Sequence, residues 1–398
     1  MAFPYRSLLA VKQVRLLLLS SVLARMPLGI CSLAILLFVR AQTGSFLVAG
    51  LAVGAFTLSG AALSPVQGWL IDRLGQMRVL APCAIGQGML LTALVALSGG
   101  APSVLIIALA GAGGALTPPV SACVRVLWPE VTANPATREA AYALDAMTQE
   151  IIWVLGPLLV ASMIGVASAG AAVLMGAAIT VFGTALFASS SLSRSWRGDS
   201  GERHARGGAL SSPGLRGLLC SVGAMGTTIG AVEVGLPALA GHLGSHGLAG
   251  VLLALFSLGS MAGGVIYGAR RWRGELSMRY AVLLATVALL TAPLALANSL
   301  ASGMVLSVLA GLALAPMFSC QYSLVCALAP RGVVAEAFAW QTAALVAGIA
   351  AGSGLSGALV EVGGAHLPFA LGCTAAALAC LLAALGDRRV GQLVVRPS

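Results

Sequence analysis

Residues 49–60 read AGLAVGAFTLSG, and residues 249–260 read AGVLLALFSLGS. At an offset of 200, Ala49, Gly50, Phe56 and Leu58 match Ala249, Gly250, Phe256 and Leu258. The same offset sets Leu109, Ala110, Gly111 and Ala115 over Leu309, Ala310, Gly311 and Ala315. At an offset of 196, Ala141, Ala143 and Gly156 meet Ala337, Ala339 and Gly352, with Tyr142 opposite Phe338 and Asp145 opposite Gln341. A near-constant offset over three pairs of apolar runs reads as a parallel repeat. Such a repeat predicts two bundles about an axis along the membrane normal, with a substrate site between them near the midplane.

Each matched stretch lies inside an apolar run long enough to cross a bilayer, which takes about 20 residues for about 30 Å of hydrocarbon. Twelve such runs are predicted as spans one to twelve: 14–38, 46–70, 77–98, 102–126, 140–165, 168–190, 213–240, 247–269, 277–298, 300–328, 335–360 and 365–386. The first run is long and lacks a small-residue cleavage site, so it reads as a span rather than a signal peptide. Short connections rich in Gly, Pro, Ser and Asn make neighbouring spans antiparallel. Residues 191–212, SLSRSWRGDSGERHARGGALSS, have no apolar periodicity. They read as a flexible linker, with the Arg-rich stretch held against anionic headgroups. The expected organisation is a bundle over 1–190, a linker over 191–212, and a bundle with a short tail over 213–398.

Composition agrees. The chain of 398 residues is 59% hydrophobic and 9% charged, against about 25% charged in soluble domains, and its mean hydropathy is +0.99. Lipid is therefore the solvent. The net charge of +10 does not mark a nucleic-acid binder, because the arginines sit in short loops between apolar runs. The eight cysteines are scattered through those runs without metal-type spacing and read as small buried hydrophobes. No nucleotide-binding loop, zinc spacing or nucleophile elbow is present, so neither an enzyme nor a cofactor is expected.

The basic residues set the orientation. With the N-terminus in the cytoplasm, all but two of the 22 basic residues fall on the cytoplasmic side, Arg125 among them. The exceptions are Arg40, outside, and Arg25, within span one. Both termini are then cytoplasmic, in a multi-pass protein of the cytoplasmic (inner) membrane.

The loop between spans two and three reads Gly68-Trp69-Leu70-Ile71-Asp72-Arg73-Leu74-Gly75-Gln76-Met77-Arg78-Val79-Leu80. It resembles the loop motif of the major facilitator superfamily, G-x-L-x-D-R-x-G-R/K-R/K-x-x-L. The resemblance implies an all-α membrane protein of twelve transmembrane helices in two pseudo-symmetric six-helix bundles, with Gly68, Asp72, Arg73, Gly75 and Arg78 at a cytoplasmic gate. There Gly68 allows close helix approach, and Asp72 and Arg73 make charge contacts. Gln76 and Met77 depart from the motif, and the second-half counterpart, Gly268 to Arg273, lacks the Asp. Gly156-Pro157 resembles the end of the antiporter motif of exporters in this superfamily, although Ile152 stands where that motif has a glycine. The buried Arg of many proton-coupled exporters would fall near Ile107, where there is none.

Ionisable residues inside spans cost about 2.5–3.5 kcal/mol on insertion scales and so mark function. Arg25, Asp145, Glu150 and Glu233 are the candidates for proton coupling or buried charge, and Glu336 reads as interfacial. Arg25 either binds an anionic group or forms a structural ion pair. Counting rise per residue sets Glu150 at its depth, which makes Glu150 the expected partner and Asp145 the alternative. A carboxylate that loses its cation as the cavity switches sides would take up a proton. Gln149, Trp153, Gln321, Tyr322, Trp340 and Gln341 are expected to line the cavity. Gly156, Pro157, Pro118, Pro119 and Pro316 are expected flexing points, and Pro237 a local break.

These features together predict a secondary active transporter of a small molecule, a proton-coupled exporter working by alternating access. An uptake carrier, an uncoupled facilitator, or a non-transporting receptor or scaffold of the same fold are the alternatives. The expected partners are the substrate, protons and membrane lipids, without nucleic acid, in a monomer.

Overall fold

The computed structural model describes residues 8–132, 134–196, 208–244, 248–270, 272 and 274–394. Residues 197–207, the middle of the expected linker, lie outside them, as do Arg6, Arg271, Arg273 and Arg396. Among the described residues there is no strand, and twelve helical spans are long and apolar enough to cross a membrane. Spans one to six are Lys12–Thr43, Phe46–Leu74, Gln76–Leu97, Ser103–Val131, Thr137–Val166 and Ala169–Ala188. Spans seven to twelve are Pro213–His242, Ala249–Gly268, Leu276–Leu296, Leu300–Leu328, Val334–Gly363 and Leu367–Ala384. We call the end where spans two and three join, at Arg73 and Arg78, the basic end.

Local chemistry sets the starts and the breaks. Ser45, Asn134, Ser168, Ser212 and Ser299 each accept a hydrogen bond from a first-turn N–H of the helix they precede, which satisfies donors that a helix start leaves open. Span one breaks directly after Arg25, where Pro27 opens a second segment; proline has no N–H to continue the first. Span four breaks between Ala115 and Val120, across Pro118 and Pro119. The Gln67 side chain donates to the carbonyl of Ala115 at 3.0 Å, which satisfies an acceptor at this break. Span ten breaks at Leu312–Ala313, just before Pro316. By contrast, spans five and seven run unbroken through Pro157 and Pro237. Pro237 is therefore not the local break the sequence suggested.

The repeat is visible in packing as well as in sequence. In the first bundle, a Cβ on Gly29 would sit 2.5 Å from the Ile152 carbonyl oxygen, and one on Gly156 would meet the Gly29 backbone. In the second, Gly226 and Gly348 face each other, each Cβ position 3.0 Å from the other's Cα. Gly114 lies against the Phe56 backbone, and Gly311 against that of Phe256. Small residues let these helix axes approach closely, and dispersion across the contact then holds them. Gly156 is thus a packing point between spans one and five.

Candidate functional site: a charged seam between the bundles

Span two meets span eleven at the basic end. A Cβ on Gly68 would be 2.8 Å from the Ala335 oxygen, the Glu336 Cα and the Ala339 Cβ. One turn on, the buried Asp72 carboxylate accepts hydrogen bonds from the backbone N–H groups of Ala335, at 3.0 Å, and Glu336, at 2.8 Å. The carboxylate caps the start of span eleven, where helix donors are open and the dipole is positive. The expected charge contact of Asp72 is therefore to a helix terminus, and Arg73 lies over the Trp69 ring of its own helix. Gly75, at φ 87°, ends span two in a conformation that favours glycine, and Arg78 is exposed. Gln76, one of the two departures from the loop motif, is buried. It donates to the Cys123 carbonyl at 3.2 Å and accepts from Ser193 at 2.8 Å. Glu336, expected at the interface, is buried and accepts from the Ala209 N–H at 3.1 Å and from the Trp340 indole at 3.4 Å.

Deeper in, three charged side chains form one cluster. Arg25 is 1% exposed. It donates from Nη1 to Asp145 Oδ1 at 2.8 Å, from Nη2 to Thr148 at 3.1 Å and to Ser21 at 3.2 Å, and from Nε to the Ser21 carbonyl. The partner of Arg25 is thus Asp145, not Glu150. A helical side chain leans toward the N-terminus of its own helix, and the Nε bond to Ser21 shows Arg25 doing so. The lean carries the guanidinium below the level that rise per residue assigns to its Cα.

The second cation is Arg125, which the sequence places on the cytoplasmic side, at the very end of span four. It is buried within span four. Its Nε donates to Asp145 Oδ2 at 3.2 Å, Nη1 to Gln341 Oε1 at 3.0 Å and Nη2 to the Tyr322 hydroxyl at 2.8 Å. Its guanidinium also lies 3.9 Å from the Tyr322 ring centroid. Arg125 therefore ties a carboxylate of the first bundle to two side chains of the second. Residues related by the repeat meet here, since Asp145 and Gln341 flank one guanidinium. Tyr142 and Phe338 also face each other, with centroids 6.4 Å apart. The signal for Arg125 was present in the sequence. Val124, Val126, Leu127 and Trp128 keep the run apolar on both sides, and Trp128, three residues on, shares the buried face.

Other seam contacts bracket the cluster. Glu150 accepts from Ser260 of span eight at 2.9 Å. At the basic end, Arg279 grips Glu139 through both carboxylate oxygens, at 2.7 and 2.9 Å, and Ser319 donates to the Glu139 carbonyl. A cavity of about 210 Å³ lies beside them, lined by Arg138, Glu139, Leu276, Ser323, Cys326 and Ala327. Among the described residues, the hydrogen bonds across the seam run from the basic end to mid-depth. Farther out, Gly50 and Gly54 of span two and Gly354 and Gly357 of span eleven have nothing within 4 Å of a Cβ position.

The other expected residues sort by this geometry. Glu233 is exposed, within electrostatic range of Glu150. Gln149 is half-buried and Trp153 is 54% exposed. Gln321 departs from expectation. It is fully buried and accepts from Tyr280 of span nine, inside the second bundle rather than at the seam. Trp340 lies near the basic end, against Glu336.

The major facilitator superfamily model matches residues 217–397, and the whole chain is similar in fold to solved structures of that superfamily. One is a bacterial homologue of the iron transporter ferroportin in the outward-facing state, at 18% identity over 95% of this chain and 100% of that one, with a TM-score of 0.76. The second half of the chain thus matches the superfamily's model, and the chain as a whole has the superfamily's fold. Other superfamily folds similar to it are the human organic anion transporter MFSD10 (TETRAN) and the proton:xylose symporter XylE. MFSD10 is 16% identical over 93% of this chain and 98% of that one, with a TM-score of 0.72. XylE is 13% identical over 92% and 94%, with a TM-score of 0.69. A search of curated protein sequences finds no significant match. In superfamily terms, the loop motif supplies Gly68 for contact and Asp72 for capping, while the seam charges come from spans one, four and five.

Proposed function

We propose that the chain is a secondary active transporter that exports a small molecule across the cytoplasmic (inner) membrane by alternating access, coupled to protons. Its termini face the cytoplasm, as the bias of Lys and Arg toward the basic end supports. The observation that carries the proposal is Arg125, buried at the seam and bonded to both bundles. A scaffold gains nothing from a charged seam, because apolar residues of like volume hold a fold as well or better. A transporter needs contacts that form in one state and break in the other. With the basic end joined and the far glycines facing open space, the conformation fits an outward-facing state.

Within this reading, Glu150 is the proton carrier, with Glu233 as its neighbour. Asp145 is already paired with two guanidiniums, at 2.8 and 3.2 Å. Glu150 receives hydroxyl donors from Ser257 and Ser260 of span eight and no guanidinium, so protonation there leaves no cation unpaired. Proton uptake at Glu150 would change the contact between spans five and eight, which opening the seam must disturb. The test is solute movement in proteoliposomes with and without an imposed pH gradient. Wild-type protein should drive accumulation only with the gradient, and Glu150→Gln should keep solute exchange but lose accumulation. Gradient-independent transport by wild-type protein would make the chain a facilitator.

A further inference from the structure

We infer that the substrate is an organic monoanion with a flat apolar body, bound by Arg125 when the seam opens at the basic end; the inference rests on the transport reading above. The cluster holds two guanidiniums against one carboxylate, with both cations and Asp145 buried. Burying an excess cation is costly, and here the outer side of Arg125 is satisfied by neutral acceptors, the Tyr322 hydroxyl and the Gln341 carbonyl oxygen. Both acceptors belong to the second bundle. Opening the seam draws them off Arg125, which keeps only Asp145, shared with Arg25, and makes room for a ligand between the guanidinium and the second bundle. An anionic oxygen pair matches the vacated side of the planar guanidinium.

Two independent features fit the same ligand. The Gln341 amide, whose oxygen faces Arg125, carries a buried Nε2 with no acceptor; it is a donor left over where an anion would supply oxygens. Tyr142, Phe318, Tyr322 and Phe338 form a connected aromatic group beside Arg125, with centroids 5.9 to 6.4 Å apart. Flat rings stack there without needing a polar partner. Closure of the basic end then returns Tyr322 and Gln341 to Arg125 and displaces the anion.

The test uses the purified full-length protein in detergent with benzoate, its neutral counterpart benzamide and the cation benzyltrimethylammonium, read by thermal stability against concentration. Benzoate should stabilise the protein saturably and the other two should not. Arg125→Gln, which leaves a neutral Arg25–Asp145 pair, should fold and weaken benzoate binding at least tenfold. Tyr322→Phe, which removes a competing acceptor, should tighten it. Asp145→Asn should melt lower and gain the largest stabilisation from benzoate, because the added carboxylate replaces the missing one. A purely structural Arg125 predicts none of these opposite-signed changes. Equal effects of benzoate and benzamide, preference for the cation, or benzoate binding unchanged in Arg125→Gln and Tyr322→Phe would overturn the inference. If proteoliposomes carry the cation and ignore benzoate, the anion inference fails and the transporter reading stands. If benzoate binds but no solute crosses, the transporter reading fails instead.

Discussion

Asp72 of span two caps span eleven through the backbone N–H of Glu336 at 2.8 Å, so a carboxylate on a helix terminus joins the two bundles at the basic end. This contact exists only while the two bundles touch at the basic end. Asp72→Ala should therefore favour opening there. A lost cap is worth about 1 kcal/mol and a buried bond to a charged group about 1.5–3 kcal/mol, enough to shift the equilibrium about tenfold or more. Alkylation of Cys326, which lines the cavity at this end, should accelerate by a similar factor when followed by peptide mass mapping. An unchanged rate would remove Asp72 from the gate.

Gly68→Val should act in the same direction by sterics. The first added carbon already meets span eleven at 2.8 Å, and overpacking costs about 1–3 kcal/mol. Because the clash disappears once the seam parts, the variant should stay folded yet open at the basic end. Distance measurements between spin labels on spans two and eleven should show the longer separation dominating.

Gly29→Ala and Gly156→Ala should instead reduce stability in any state, since each Cβ would enter the backbone of the facing helix within one bundle. A fall of several degrees in the melting temperature is expected. Gly54→Ala, with open space around it, should be neutral or stabilising by up to about 1 kcal/mol. Equal losses at Gly29 and Gly54 would contradict this packing.

Arg279→Gln should weaken the basic end without touching the central cluster. Arg279 and Glu139 form a two-pronged pair that is only partly buried, so the loss should be about 1 kcal/mol or less after solvent screening. Cys326 labelling should rise several-fold, and added salt should reproduce part of that rise in wild-type protein.

Span count and near-boundaries were readable because apolar length is set by bilayer thickness. The repeat was readable because helix packing selects glycine and alanine at fixed offsets, as Gly156 and Gly352 show. Arg125 was not read as buried, because an arginine near the end of an apolar run looks like a loop anchor. Only the apolar residues after it, through Trp128, show that the helix continues. The Arg25 partner was misplaced because rise per residue locates a Cα, whereas five bonds of side chain lean back toward Ser21. Gln321 and Tyr322 are adjacent in sequence, yet helix geometry turns them about 100° apart, one into its own bundle and one onto Arg125.

The interruption of span four at Pro118 and Pro119 separates Arg125 from the segment anchored by Gly114. The segment Val120–Val131 is thus a short lever with its fulcrum at the two prolines and its load, the guanidinium, halfway along. A small tilt of that lever would withdraw the charge from Tyr322 without dislodging the anchored segment, so reloading the site need not wait for both bundles to finish their swing.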